Sequence, residues 1–137
     1  MPYVIGIVLA LVACGYATWL RLDRDGAFYT TMLIVVAAYY VLFAAMAGAG
    51  RVIVIESLIT GGFVVAASLG FRWNLWLVCA GLAAHGVLDA FHAHVVTNSG
   101  VPVWWPAFCS SYDVAAAAYL AWRLAQTPVT ARIAGAR

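Results

Sequence analysis

Ala84-His85-Gly86-Val87-Leu88-Asp89-Ala90-Phe91-His92-Ala93-His94 sets three histidines and an acid inside an apolar run from Trp73 to about Val96. Read as an α-helix at about 100° per residue, His85, Asp89 and His92 fall within roughly 60° of one another. They make a polar stripe on an otherwise apolar rod. His94 lies about 180° from His85 and stands outside that stripe while the helix continues.

Four further apolar runs, each close to the roughly 20 residues needed to cross a hydrocarbon core, surround this one. They extend over about 3–20, 27–47, 51–70 and 103–124, and with 73–96 they give five spans. The breaks are Arg21-Leu-Asp-Arg-Asp-Gly26, Gly48-Ala-Gly50, Phe71-Arg72 and Thr97-Asn-Ser-Gly-Val-Pro102. The runs are continuous rather than alternating, and too long for barrel staves, so helices rather than strands are expected. The chain is expected to be an all-α integral membrane protein, a compact bundle of five transmembrane helices in one domain (1–125) followed by a short cytoplasmic tail (126–137).

Composition agrees with that class. Of 137 residues 66% are hydrophobic and 9% charged, with a mean hydropathy of +0.99, far from the range of soluble domains. All seven cations are arginines and the net charge is +2, without the basic stripe that nucleic-acid binding needs. Cys14, Cys79 and Cys109 sit singly in separate apolar runs, which is neither a disulfide framework nor a haem-attachment motif. They read as small buried hydrophobes. Leu11-Val-Ala-Cys14 looks like a lipoprotein cleavage box, but Met1-Pro-Tyr3 brings no basic residue ahead of it. The first run is therefore expected to stay as a span.

Arginine counting sets the expected orientation. Arg21, Arg24, Arg72, Arg123, Arg132 and Arg137 fall on one side of the membrane and Arg51 on the other, which puts the N-terminus outside and the C-terminus in the cytoplasm. A multi-pass protein of a bacterial inner membrane fits. Helix rise then gives depth from the outer surface: roughly 8 Å for Glu56 and His92, 12 Å for Asp89, 15 Å for Asp113 and 18 Å for His85. Acids and imidazoles from three spans thus reach similar levels in the outer half. Intramembrane ionisable groups each cost about 2.5–3.5 kcal/mol on insertion scales, so these need partners.

Imidazole and carboxylate in this number suit a transition metal ion, iron by preference, with zinc or copper as alternatives. His85, Asp89 and His92 are candidate ligands; Glu56 and Asp113 are further ligands or acid–base groups, with Tyr112 as an additional catalytic candidate. His94, Asn98, Trp104 and Trp105 are candidates for a rim or lid. Tyr39 and Tyr40 read as packing residues, and Asn98 as a helix stop. The leading functional expectation is a membrane metalloenzyme acting on an apolar or lipid substrate, either a non-haem iron oxidoreductase or a zinc hydrolase. Two alternatives use the same residues: a proton- or metal-ion-translocating protein, and a small accessory subunit of a larger membrane complex. Small-residue stretches such as Ala115–Ala118 also allow a homo-oligomer or a partner subunit.

Overall fold

In the computed structural model, which describes residues 1–126, the chain forms five helices: α1 (Pro2–Trp19), α2 (Ala27–Met46), α3 (Gly50–Trp73), α4 (Leu75–Val95) and α5 (Trp105–Gln126). The expected tail, with Arg132 and Arg137, lies beyond residue 126 and outside the described residues. Helices α1 to α4 are each long and apolar enough to cross a membrane. Helix α5 is as long, but Ser110, Ser111, Asp113 and Arg123 make it less apolar.

Local chemistry fixes the helix ends. Pro2 stands in the first turn of α1, where its missing N–H breaks no bond. Helix α2 stops in a Schellman arrangement: Gly48 adopts φ 67°, its N–H donates to Ala45 O at 3.1 Å, and the Ala49 N–H donates to Ala44 O at 3.1 Å. Helix α3 continues through Phe71-Arg72 rather than ending near Gly70 as the sequence suggested. Gly70 is a contact point, not a stop: a Cβ there would lie 2.6 Å from Val78 Cγ2. The break falls instead on Asn74, whose extended backbone ends α3 and whose Oδ1 accepts from the Trp76 N–H at 3.1 Å to cap α4. The fourth helix consequently starts two residues later than expected. Helix α5 likewise begins at Trp105 instead of Val103, because Pro102 O accepts from the Trp105 N–H at 2.9 Å and closes the preceding turn.

The helices pack in the spatial order α1, α5, α4, α3, α2, with α2 also touching α4. Helices α1 and α2, although joined by a short loop, do not pack side by side and leave a cleft between them. The loop is tied to the far end of α5: Thr18 Oγ1 donates to Asp23 Oδ2 at 2.7 Å, Arg123 Nη2 lies 3.5 Å from the same oxygen, and Tyr119 donates to Thr18 at 3.1 Å. Large apolar side chains such as Val12, Leu58, Val65 and Phe91 point outward, as surfaces facing hydrocarbon do.

The inward surface of α4 recurs every three or four residues, through Val78, Leu82, His85, Asp89 and His92, the period of one helix face. Gly86 brings α5 against this face: a Cβ there would meet Ser110 O at 2.9 Å and Asp113 Cβ at 3.2 Å. Replacing Gly86 with leucine would force the two backbones apart. Overpacking of this kind costs about 1–3 kcal/mol, so Gly86→Leu should lower the thermal midpoint followed by circular dichroism in detergent. Gly15→Ala, where a Cβ meets nothing within 4 Å, should leave the midpoint unchanged or slightly raised.

Candidate metal centre

Two pairs spaced four residues apart face each other across the α4–α5 seam. Helix α4 contributes His85 and Asp89, and α5 contributes Cys109 and Asp113; all four are buried. One donor atom from each lies within 4.8 Å of the other three. His85 Nδ1 is 2.6 Å from Asp113 Oδ2 and 3.4 Å from Asp89 Oδ2. Phe63 of α3 presents its ring edge-on to His85, with centroids 4.9 Å apart, and so walls the imidazole on its third side.

Charge balance is incomplete within this group. Two carboxylates in so small a dry space repel if both ionise, and one imidazolium offsets only one of them. Hydrogen bonding is also incomplete. Among the described residues, Asp89 Oδ2 and Asp113 Oδ1 are buried without a hydrogen-bond partner, an arrangement that costs about 1–3 kcal/mol per neutral group and more for a charged one. A cation among the four donors would relieve both deficits. Bond lengths of about 2.0–2.3 Å in a tetrahedral site put donors roughly 3.3–3.8 Å apart, so the group would need to tighten by about 1 Å at its widest and the 2.6 Å His85–Asp113 contact to open by about 0.7 Å. The residues present can therefore hold a metal ion.

A second pair lies one to two turns nearer the α4 C-terminus. His92 Nε2 is 3.0 Å from Glu56 Oε1 of α3, and the same oxygen accepts from Asn98 Nδ2 at 3.0 Å. Asn98 also donates to Tyr40 O at 3.0 Å. Its loop is pressed onto α2 because Gly100 sits against Phe43 O, where no Cβ would fit. Tyr40 joins the two groups. Its hydroxyl donates to Asp89 Oδ1 at 2.6 Å, and its ring stacks on His92 with centroids 3.9 Å apart and planes inclined by 21°.

Acids from α3 and α5 thus meet the imidazoles of α4, but in two compartments with the Tyr40 ring between them. The four-donor group holds His85, Asp89 and Asp113; His92 and Glu56 stand outside it as a hydrogen-bonded pair. Tyr112, next to Asp113 in sequence, is half-buried and borders the α1–α2 cleft instead. Among the rim candidates, Asn98 takes part in the Glu56 pair, His94 is exposed on the opposite face of α4, and Trp104 is 54% exposed. Trp105 packs inward on Tyr39 and Phe43 of α2, at centroid distances of 4.9 and 5.0 Å.

Cys109 and Tyr40 escaped the sequence reading. A lone cysteine in an apolar run looks like any small core residue, and Tyr40 like packing. The signal available for Cys109 was its spacing of four from Asp113, which repeats the His85–Asp89 spacing. Removing one member of a buried pair costs about 3–5 kcal/mol. Glu56→Ala and His92→Ala should each destabilise the protein strongly, while the double variant should be less destabilised than their sum by about 1–3 kcal/mol. A denaturation double-mutant cycle measures that coupling. Searches against family models, curated proteins and solved structures found no match to this chain.

Proposed function

We propose that this chain is an integral membrane metalloenzyme that binds one transition metal ion between α4 and α5 and acts on a lipid-soluble molecule. All five helices would cross a bacterial inner membrane, with the N-terminus outside, so that the site opens toward the outer leaflet. The observation carrying this reading is the buried set His85, Asp89, Cys109 and Asp113, in which two carboxylate oxygens have no hydrogen-bond partner among the described residues. An imidazole, a thiolate and two carboxylates suit zinc or iron better than magnesium or calcium, with copper a further alternative. Iron would be the preferred ion, held by the imidazole of His85, the thiolate of Cys109 and the carboxylates of Asp89 and Asp113. Bound there, iron would supply oxidation chemistry, and zinc would supply an activated water for hydrolysis.

The chain's own residues have distinct tasks in this scheme. Tyr40 holds Asp89 by Oδ1 and leaves Oδ2 directed to the donor group, as a residue orienting a metal ligand does. Glu56 and His92, held by Asn98, form a proton-accepting pair on the outer-leaflet side of Tyr40. Trp105 closes the gap between α2 and α5 above the group. Elemental analysis of gently purified protein tests the proposal. About one ion per chain is expected, and less than about 0.2 would overturn it. Asp113→Asn and Cys109→Ser should lose the ion while retaining helical content. Tyr40→Phe should weaken metal affinity by about 10- to 100-fold.

Proton translocation is the second reading, favoured by the series of polar contacts Asp113, His85, Asp89, Tyr40, with His85 and Asp89 3.4 Å apart, that approaches the His92–Glu56 pair. Past His85 toward the start of α4, Leu82 and Val78 of the inward face are wholly buried and apolar, which interrupts such a route. Proteoliposomes loaded with a pH-sensitive dye should show no flux beyond that of empty vesicles if the enzyme reading holds.

A further inference from the structure

The cleft between α1 and α2 runs from Pro2 and Trp104 at one end of the bundle to Leu22 and Ala27 at the other. Its lining contains no charged side chain. Its floor is α5, and Cys109 belongs both to that floor and to the four-donor group. The cleft has a volume of about 1010 Å³, at the upper end of the roughly 300–1,000 Å³ of small-molecule sites.

Shape decides what fits. About 20 residues of helix separate the two ends, or roughly 30 Å. Dividing all the empty space of the cleft, about 1910 Å³, by that length leaves a mean cross-section of at most about 64 Å². A helix with its side chains is about 10–12 Å across, or roughly 80–110 Å², and could not enter without spreading α1 from α2. A second copy of the chain is therefore a poor occupant. A narrow, uncharged, flexible molecule as long as a bilayer is thick is a good one, and the walls belong to two helices apolar enough to border hydrocarbon.

We infer that the α1–α2 cleft binds the long hydrocarbon chain of a lipid, lying along the helices with part of its length against Cys109. This deepens the metalloenzyme proposal by naming the substrate class, and it rests on that proposal only for the chemistry at Cys109. The chain enters sideways from the membrane, because α1 and α2 are joined at one end only. Leu9 and Ala13 of α1 face Met32 and Tyr39 of α2 across the opening. Apolar contact supplies the binding, and fixing the depth of the chain decides which carbon stands at the metal group.

Photolabelling of the full chain in lipid nanodiscs with a diazirine-bearing C16 alcohol, mapped by mass spectrometry, tests the inference. Adducts are expected on Met32, Tyr39 and Phe108 in preference to the outward Leu58 and Val65 of α3, and an excess of unlabelled hexadecanol should suppress them. Ala13→Trp and Leu9→Trp, which fill the cleft from two heights, should each cut labelling of Tyr39 and Phe108 by about fivefold or more. Labelling spread evenly over all outward faces, or unaltered by both tryptophans, would overturn the inference. So would a dimer whose chains crosslink through an unlabelled cleft. Metal content is read on the same samples: labelled but metal-free wild-type protein would sink the enzyme proposal and leave the lipid cleft standing, and Asp113→Asn should lose metal yet label normally.

Discussion

The seam between α4 and α5 governs this structure. At Gly86 the two backbones come close enough that no side chain fits between them, and only at that spacing do His85 and Asp89 meet Cys109 and Asp113. Apolar packing alone could join two such helices. What it could not do is tolerate four polar side chains inside the joint unless they satisfied one another or an ion. The His85–Asp113 contact at 2.6 Å satisfies part of that demand and leaves part of it open, so the same place is both the strongest polar tie between the helices and the most reactive-looking point in the bundle.

Around this seam the remaining helices act as insulation and as supports. Helix α3 contributes Phe63 to wall His85 and Glu56 to bind His92. Helix α2 contributes Tyr40, which touches both polar compartments through different parts of one side chain: a hydroxyl to Asp89 and a ring face to His92. The loop between α4 and α5 is held down by Gly100 and so can deliver Asn98 to Glu56. Each polar group therefore depends on an element remote in sequence, and a shift in any one helix would be felt in the donor group.

Much of this was legible in the sequence because the signals were long and redundant. Five apolar runs with short polar breaks give five helices, and depth reckoned from their ends brought Glu56, Asp89 and Asp113 to similar levels. The helix boundaries were less legible. Gly70 looks like a stop but serves close packing, whereas Asn74 ends one helix and caps the next. Partner choice was not legible at all. Spacing along α4 shows that His85 and His92 share a face, but which neighbour each meets depends on how α3 and α5 rotate about their own axes. Those rotations are set by packing at Gly86 and around Phe63, far from any local pattern. For the same reason Cys109 looked inert: its chemistry comes from α4, not from its own flanking residues.

Helix α1 leans on α5 and has no long contact with its sequence neighbour α2. Thr18 and Tyr119, which meet by a hydrogen bond, stand 101 positions apart. Of the five helices, the one synthesised before the others is consequently the one whose packing surface is made last. Until α5 arrives, α1 is tethered by a short loop with its inward face, including Ala10 and Cys14, uncovered. The bundle thus closes when α5 recaptures α1, and the face left bare between α1 and α2 records a pair of neighbours that never came to pack together.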